Sequence, residues 1–164
     1  MKLIVNVDKN WAIGNGGNLL FHLSQDMKFF KSHTTNNIVV MGRKTLDSLP
    51  GGRPLPNRRN IVLSRDPAFC REGVTVCNNG GELALLLRDV ADDVYVIGGE
   101  SIYRDLLPFC DTAYVTKVDA AAEEADAFMV DLDQSPDWVI SDESDVMEEK
   151  GIKFRFVTYK NKRG

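Results

Sequence analysis

Ile38-Val39-Val40-Met41 is an unbroken apolar run with no alternation of polar positions. A strand with one wet face alternates, whereas a strand that is apolar throughout must be covered on both faces. Gly42-Arg43-Lys44-Thr45-Leu46 follows at once and opens a helix that ends before Pro50-Gly51-Gly52. A buried strand feeding a helix is the unit of a parallel sheet with helices packed on it. The same pattern recurs along the chain. Strands are expected over 2–8, 60–64, 74–76, 93–97 and 113–118, and helices from Ser24 to about residue 34, over 82–87 and over 101–107, the last stopped by Pro108. Trp138-Val139-Ile140 and Phe154 to Tyr159 read as a terminal antiparallel pair. The expected fold class is α/β: a three-layer sandwich in a single domain over 1–164. Its sheet is mixed but mostly parallel, of about eight strands with a C-terminal antiparallel edge pair and helices on both faces.

Several function classes drop out on composition. The formal net charge is -4, which leaves no nucleic-acid footprint, and the basic tail from Lys160 to Arg163 reads as a solvated end. No apolar run approaches the ~18 residues of a membrane span. Residues 1–8 have too short an apolar stretch for a signal peptide and read as a strand. Cys70, Cys77 and Cys110 are odd in number and lack metal-type spacing. Free thiols in a reducing compartment, the cytoplasm, are the expectation. His22 and His33 have no ligand partners at useful spacing, so no metal is expected.

The candidate chemistry begins at Leu19 to Phe30. Ser24 has the character of a helix N-cap, and Leu23, Met27 and Phe30 follow at helical spacing as an apolar stripe. Asp26 falls inside that stripe. A carboxylate among large apolar side chains either pairs or rises in pKa, which suits holding a flat, basic heterocycle; the other reading is a first-turn acid complementing the helix dipole. Lys9 to Asn18 is a glycine-rich stretch that reads either as a surface loop or as a mobile lid.

Arg43 and Lys44 oppose the dipole of the helix they open, a conflict that a bound phosphate would remove and that solvation would also relieve. Gly98-Gly99 ends another strand and opens another helix, as a phosphate turn or merely a tight one. Ser64-Arg65 ends a third. No G-x-G-x-x-G fingerprint is present, which excludes the standard dinucleotide site. Arg58 sits on a connector stiffened by Pro54 and Pro56, suited to gripping a carboxylate or simply exposed. Thr116 lies on an alternating strand, able to bond a buried acid or present only for its β-preference.

Taken in order, these motifs resemble the dihydrofolate reductase family over essentially the whole chain. The matching segments are Trp11 to Gly14, Leu23 to Phe30, Val40 to Thr45, Gly52 to Arg58, Ile97 to Gly99, Tyr103, and Tyr114 to Thr116. The resemblance implies NADPH-dependent reduction of 7,8-dihydrofolate to tetrahydrofolate. Asp26 would hold the pterin's amino-pyrimidine edge, supported by Thr116. Ile4 and Ile97 would offer carbonyls to its exocyclic amine. Asn6, Met27, Phe30, Leu49, Leu55 and Tyr103 would complete the substrate pocket, with Arg58 on the glutamate α-carboxylate. NADPH would lie against Asn6, Ile13, Gly14, Leu19, Gly42, Arg43, Lys44, Thr45, Leu63, Ser64, Arg65, Ile97, Gly98, Gly99, Glu100, Ser101, Ile102 and Tyr103. The Gly98–Gly99 bond would be cis.

Three departures stand out. Leu20-Phe21 replaces the family's Pro-Trp and removes an indole donor near the acid. Asn6 stands where family members often have Ala. Ala125-Asp126-Ala127-Phe128-Met129 replaces G-D-T-x-F-P, which puts the loop-to-loop support of the lid in question. The missing indole keeps open a non-catalytic pterin- or nucleotide-binding protein. A same-fold reductase of another heterocycle is the second rival, disfavoured by Arg58. Dihydrofolate and antifolate inhibitors are the expected partners, with no nucleic acid, no membrane and a monomeric state.

Overall fold

The computed structural model describes residues 1–164. The elements run β1 (Lys2–Val7), β2 (Ala12–Gly14), α1 (Ser24–Thr34), β3 (Ile38–Gly42), α2 (Arg43–Ser48), β4 (Arg59–Leu63) and β5 (Val74–Cys77). They continue with α3 (Gly80–Leu87), β6 (Val94–Gly98), α4 (Glu100–Leu106), β7 (Thr112–Val118), β8 (Ala127–Phe128), β9 (Trp138–Glu143), β10 (Met147–Glu149) and β11 (Ile152–Asn161). The main sheet has nine strands, ordered β10-β11-β7-β1-β6-β3-β4-β5, with β9 also on β11. From β7 to β5 every pairing is parallel, and β11 joins β7 antiparallel.

The apolar run 38–41 behaves as its composition requires. Ile38 and Val40 enter one core with Leu83 of α3 and Tyr103 and Leu106 of α4. Val39 and Met41 enter the other, with Leu46 of α2 and, packed against it, Phe29 and Phe30 of α1. Side chains alternate across a strand, so one strand serves two cores and the three layers follow.

The expected C-terminal antiparallel pair is present, Trp138 to Ile140 lying against Tyr159 to Asn161, and β11 is long enough to take β10 along its other part, with a register shift between Thr158 and Tyr159. Three expectations need revision. Residues 9–18 are not featureless, because Ala12 and Gly14 pair with Phe128 and Ala127 in a small second sheet. Ser24 is not the N-cap: Leu23 holds that position with extended backbone and no side-chain cap bond, and Ser24 is the first helical residue. Met27 is not in the buried stripe, being 63 % exposed, while Leu23 is 1 % exposed. No helix is long and apolar enough to cross a membrane.

Leu46 and Met27 offer a direct check of this layering. Leu46→Ala is expected to cost ~2–5 kcal/mol by opening a cavity under α2, and Met27→Ala less than ~0.5 kcal/mol. Urea denaturation with an unchanged slope reads both.

Candidate functional site

In an open parallel sheet, ligands lie beyond the carboxyl ends of the strands. That edge here gathers the ends of β1, β3, β4 and β6. The parallel register of β1 and β7 sets Asn6 opposite Thr116. Both side chains reach Asp26, in the first turn of α1. The Asn6 Nδ2 donates to Oδ2 at 2.9 Å and the Thr116 Oγ1 donates to Oδ1 at 2.5 Å. Burial pushes the Asp26 carboxyl above the ordinary aspartate value, and these two donors pull it back only in part. Beside it, the buried Tyr103 hydroxyl donates to the Ile4 carbonyl at 2.8 Å. Desolvation, and to a lesser degree the Asp26 charge, push that phenol's pKa up, so it stays protonated.

Phe30, Leu49, Leu55 and Ile97 are half-buried and pack on the core that contains Ile4, Val39, Met41 and Leu46. Phe29 and Phe30 of α1, the helix that carries Asp26, pack on the same core. The connector carrying Leu55 and Arg58 is held by Asn60, a buried residue that sequence reading passed over. Its side chain accepts from Leu55 N at 2.9 Å and donates to the Leu55 carbonyl at 2.9 Å and to the Arg58 carbonyl at 3.0 Å. Arg58 is fixed in turn: Nε donates to the Pro56 carbonyl at 2.9 Å and Nη1 to Thr34 Oγ1 at 3.0 Å. Its Nη2 has no protein partner and is free for a carboxylate. Met27, exposed on α1, joins none of these contacts.

On the other side of the crevice, Met41 pairs with Gly98 and Gly42 with Leu63. A Cβ on Gly42 would stand 3.0 Å from Ile102 Cγ1, one on Gly98 3.3 Å from the Tyr103 ring, and one on Gly99 3.6 Å from Thr45 Oγ1. Gly98 also has φ 123°, in the range L side chains rarely adopt, and the Gly98–Gly99 peptide is cis. Bare backbone is therefore built in where α2 and α4 begin, which fits the close approach of a phosphate chain. Lys44 and Arg65 are exposed and without carboxylate partners. Arg43 instead lies 3.6 Å from Asp66 and 4.5 Å over the Phe69 ring. Ser64 Oγ accepts from Asp66 N at 3.3 Å. Ile13, Leu63 and Ile102 are half-buried against the core; Leu19 and Ser101 are exposed. The Glu100 carboxylate accepts from Phe128 N at 3.2 Å, so it braces β8.

The glycine-rich stretch is supported despite the altered loop. Asp126 N donates to the Gly14 carbonyl at 3.0 Å and Gly16 N donates to Asp126 Oδ2 at 3.0 Å. Its root is tied by the buried Asp8 carboxylate, which accepts from the amides of Asn10, Ala12 and Ala122 at 2.8 to 2.9 Å. Phe21 packs against the cluster of Leu23, Val118 and Phe154 and brings no donor.

The chain is similar to known proteins over nearly its whole length. The sequence model of the family described as dihydrofolate reductase matches residues 1–161. A dihydrofolate reductase of Bacillus subtilis (strain 168) is 35% identical over 169 residues, covering 99% of this chain and 95% of that one. One from Neisseria gonorrhoeae is 36% identical, covering 98% and 97%. The solved structure of the Enterococcus faecalis dihydrofolate reductase, complexed with NADP(H) and RAB-propyl, superposes with TM-score 0.87 at 34% identity, covering 98% of this chain and 95% of that one.

The raised carboxyl carries a stability consequence. A group whose folded pKa is raised contributes stability that is complete below its unfolded value, about 3.9 for aspartate, and that is lost as pH rises through the folded value. Asp26→Asn removes the buried charge. It is expected to raise the melting temperature at pH 7, with the gain vanishing near pH 3.5, as read by thermal unfolding across that range.

Proposed function

The chain belongs to the dihydrofolate reductase family, and we propose that it reduces 7,8-dihydrofolate to 5,6,7,8-tetrahydrofolate. The observation that carries this reading is one juxtaposition: a largely desolvated carboxylate held by two neutral donors at the carboxyl edge of the sheet where the glycines ending β3 and β6 also lie. NADPH, when bound, supplies the hydride. The chain's own residues bind, orient and exclude water.

Gly42, Gly98 and Gly99 offer backbone for the cofactor's pyrophosphate, with Thr45, Lys44, Ser64 and Arg65 at its phosphates and Ile13, Leu63 and Ile102 as apolar walls. Leu19, Gly14 and Asn6 face the nicotinamide end as the lid closes. Asp26 accepts N–H groups from the pterin's amino-pyrimidine edge on the lone pairs that Asn6 and Thr116 leave free. Ile4 and Ile97 offer carbonyls to the same edge. Phe30, Leu49 and Leu55 sandwich the flat rings, and Nη2 of Arg58 takes the α-carboxylate. Holding both ligands face to face in a dry crevice supplies the alignment that the reaction needs. The ionised Asp26 raises the basicity of the bound pterin, and a water delivers the proton to the nitrogen beside the reduced carbon. With Phe21 in place of an indole, that water is ordered without the usual donor.

The assignment takes 1–164 as one domain acting as a monomer. Three free thiols, two of them buried, support a cytoplasmic location.

Loss of NADPH absorbance on adding dihydrofolate, blocked by a diaminopyrimidine antifolate, is the expected result; NADPH and antifolate binding without oxidation would favour the non-catalytic rival. Asp26→Asn should lower turnover at neutral pH by ~100-fold or more with cofactor affinity retained. Arg58→Ala should raise KM for dihydrofolate roughly 10- to 100-fold, the worth of a charge-assisted pair. It should have little effect on a pterin lacking the glutamate.

A further inference from the structure

Helix α1 begins without a cap of its own. Leu23 has no polar side chain, and the first amides of any helix lack intrahelical partners. They are satisfied from the far end of the chain. The Glu149 Oε2 accepts from Ser24 N at 2.6 Å, and its Oε1 accepts from Ser24 Oγ at 2.8 Å and from Gln25 N at 3.2 Å. Glu149 is the last residue of β10, paired opposite Ile152 in the hairpin with β11. The hairpin is seated there by packing as well, since Phe154 of β11 shares a buried cluster with Leu23 and Val118. Asp26 is the next residue after the two that Glu149 holds.

We propose that Glu149 is a positioning residue for Asp26: its carboxylate fixes the start of α1 opposite Asn6 and Thr116, and its charge at that helix end opposes ionisation of Asp26. The physical basis is the helix terminus. Unpaired amides there create a positive potential that favours a carboxylate in the first turn and so lowers its pKa. An anion already seated on those amides cancels part of that potential. Ser24's backbone and hydroxyl donors favour the charged form of Glu149, whereas burial disfavours that of Asp26. The other groups facing Asp26 are Asn6 from β1, Thr116 from β7 and the Tyr103 hydroxyl of α4, all uncharged. Lys150 is the charged neighbour of Glu149 on the hairpin and moderates its field. Glu149 is thus the anion seated on the amides immediately before Asp26. The consequence for turnover rests on the reductase reading; the titration itself does not.

The test is a carbon-13 NMR titration of the Asp26 carboxyl in the full chain, assigned with Asp26→Asn, for the native protein, Glu149→Gln and Glu149→Asp. Glu149→Gln is expected to move the Asp26 midpoint down by ~0.2–0.7 pH units, the size of a helix-terminus charge effect. It should also speed hydrogen exchange at the Ser24 and Gln25 amides. Glu149→Asp, which draws the charge back by one methylene, should give a smaller displacement in the same direction and serves alone if the glutamine variant does not fold. The kcat/KM profile for dihydrofolate should shift downward by the same amount. A midpoint that stays put or moves up, even with a lowered melting temperature, would overturn the proposal and leave a merely structural cap. The predicted titration shift in a protein that turns over no dihydrofolate would refute the reductase reading while leaving the positioning role intact.

Discussion

A carboxylate cannot be desolvated in a protein interior unless donors meet it, and the pairing of β1 with β7 supplies them. Parallel register brings Asn6 and Thr116 side by side at one level of the sheet. The two strands present one amide and one hydroxyl, each to a different oxygen of Asp26. Neither donor is charged, so they steady the carboxylate without neutralising it. Burial remains the largest influence on its pKa. A cation in either place would have made an ordinary buried ion pair, stable and unavailable to a ligand. The choice of neutral partners leaves the carboxylate without a cation of its own.

The opposite side of the crevice follows a different rule, that of close approach. Gly42 and Gly98 stand where β3 and β6 pass each other with shifted register. Side chains there would meet Ile102 and the Tyr103 ring. Tyr103 connects the two sides: its ring packs beside Gly98 and its hydroxyl holds the Ile4 carbonyl next to Asp26. One buried tyrosine thereby links the glycine end of β6 to β1.

Elements distant in sequence complete the site. Asp126 and Glu100 brace the small β2–β8 sheet, Asp8 ties its root, and the β10–β11 hairpin seats the head of α1. Each of these contacts joins a carboxylate to backbone amides. Backbone donors do not vary with side-chain identity, which explains why the altered loop at 125–129 still holds residues 11–16, through Asp126 and through the backbone pairing of β8 and Met129.

The sequence by itself determined the layered architecture, because an unbroken apolar strand such as 38–41 admits only burial on both faces. It also marked candidate site positions, because glycine pairs at strand ends and an acid among apolar residues are local patterns, but each pattern left a purely structural reading open. Asn6 was legible as an extra polar group but not as the donor to Asp26, since that requires knowing the register of β1 against β7. The role of Asn60 and the cap by Glu149 were invisible for the same reason: their partners are set by pairing and packing, not by spacing along the chain. Ser24 shows the limit most plainly. Its residue type matched a helix cap, yet the tertiary structure carried a stronger acceptor, the carboxylate of Glu149, to those amides. Local preference decides a helix end only where no distant charge reaches it first, and only the folded chain decides that.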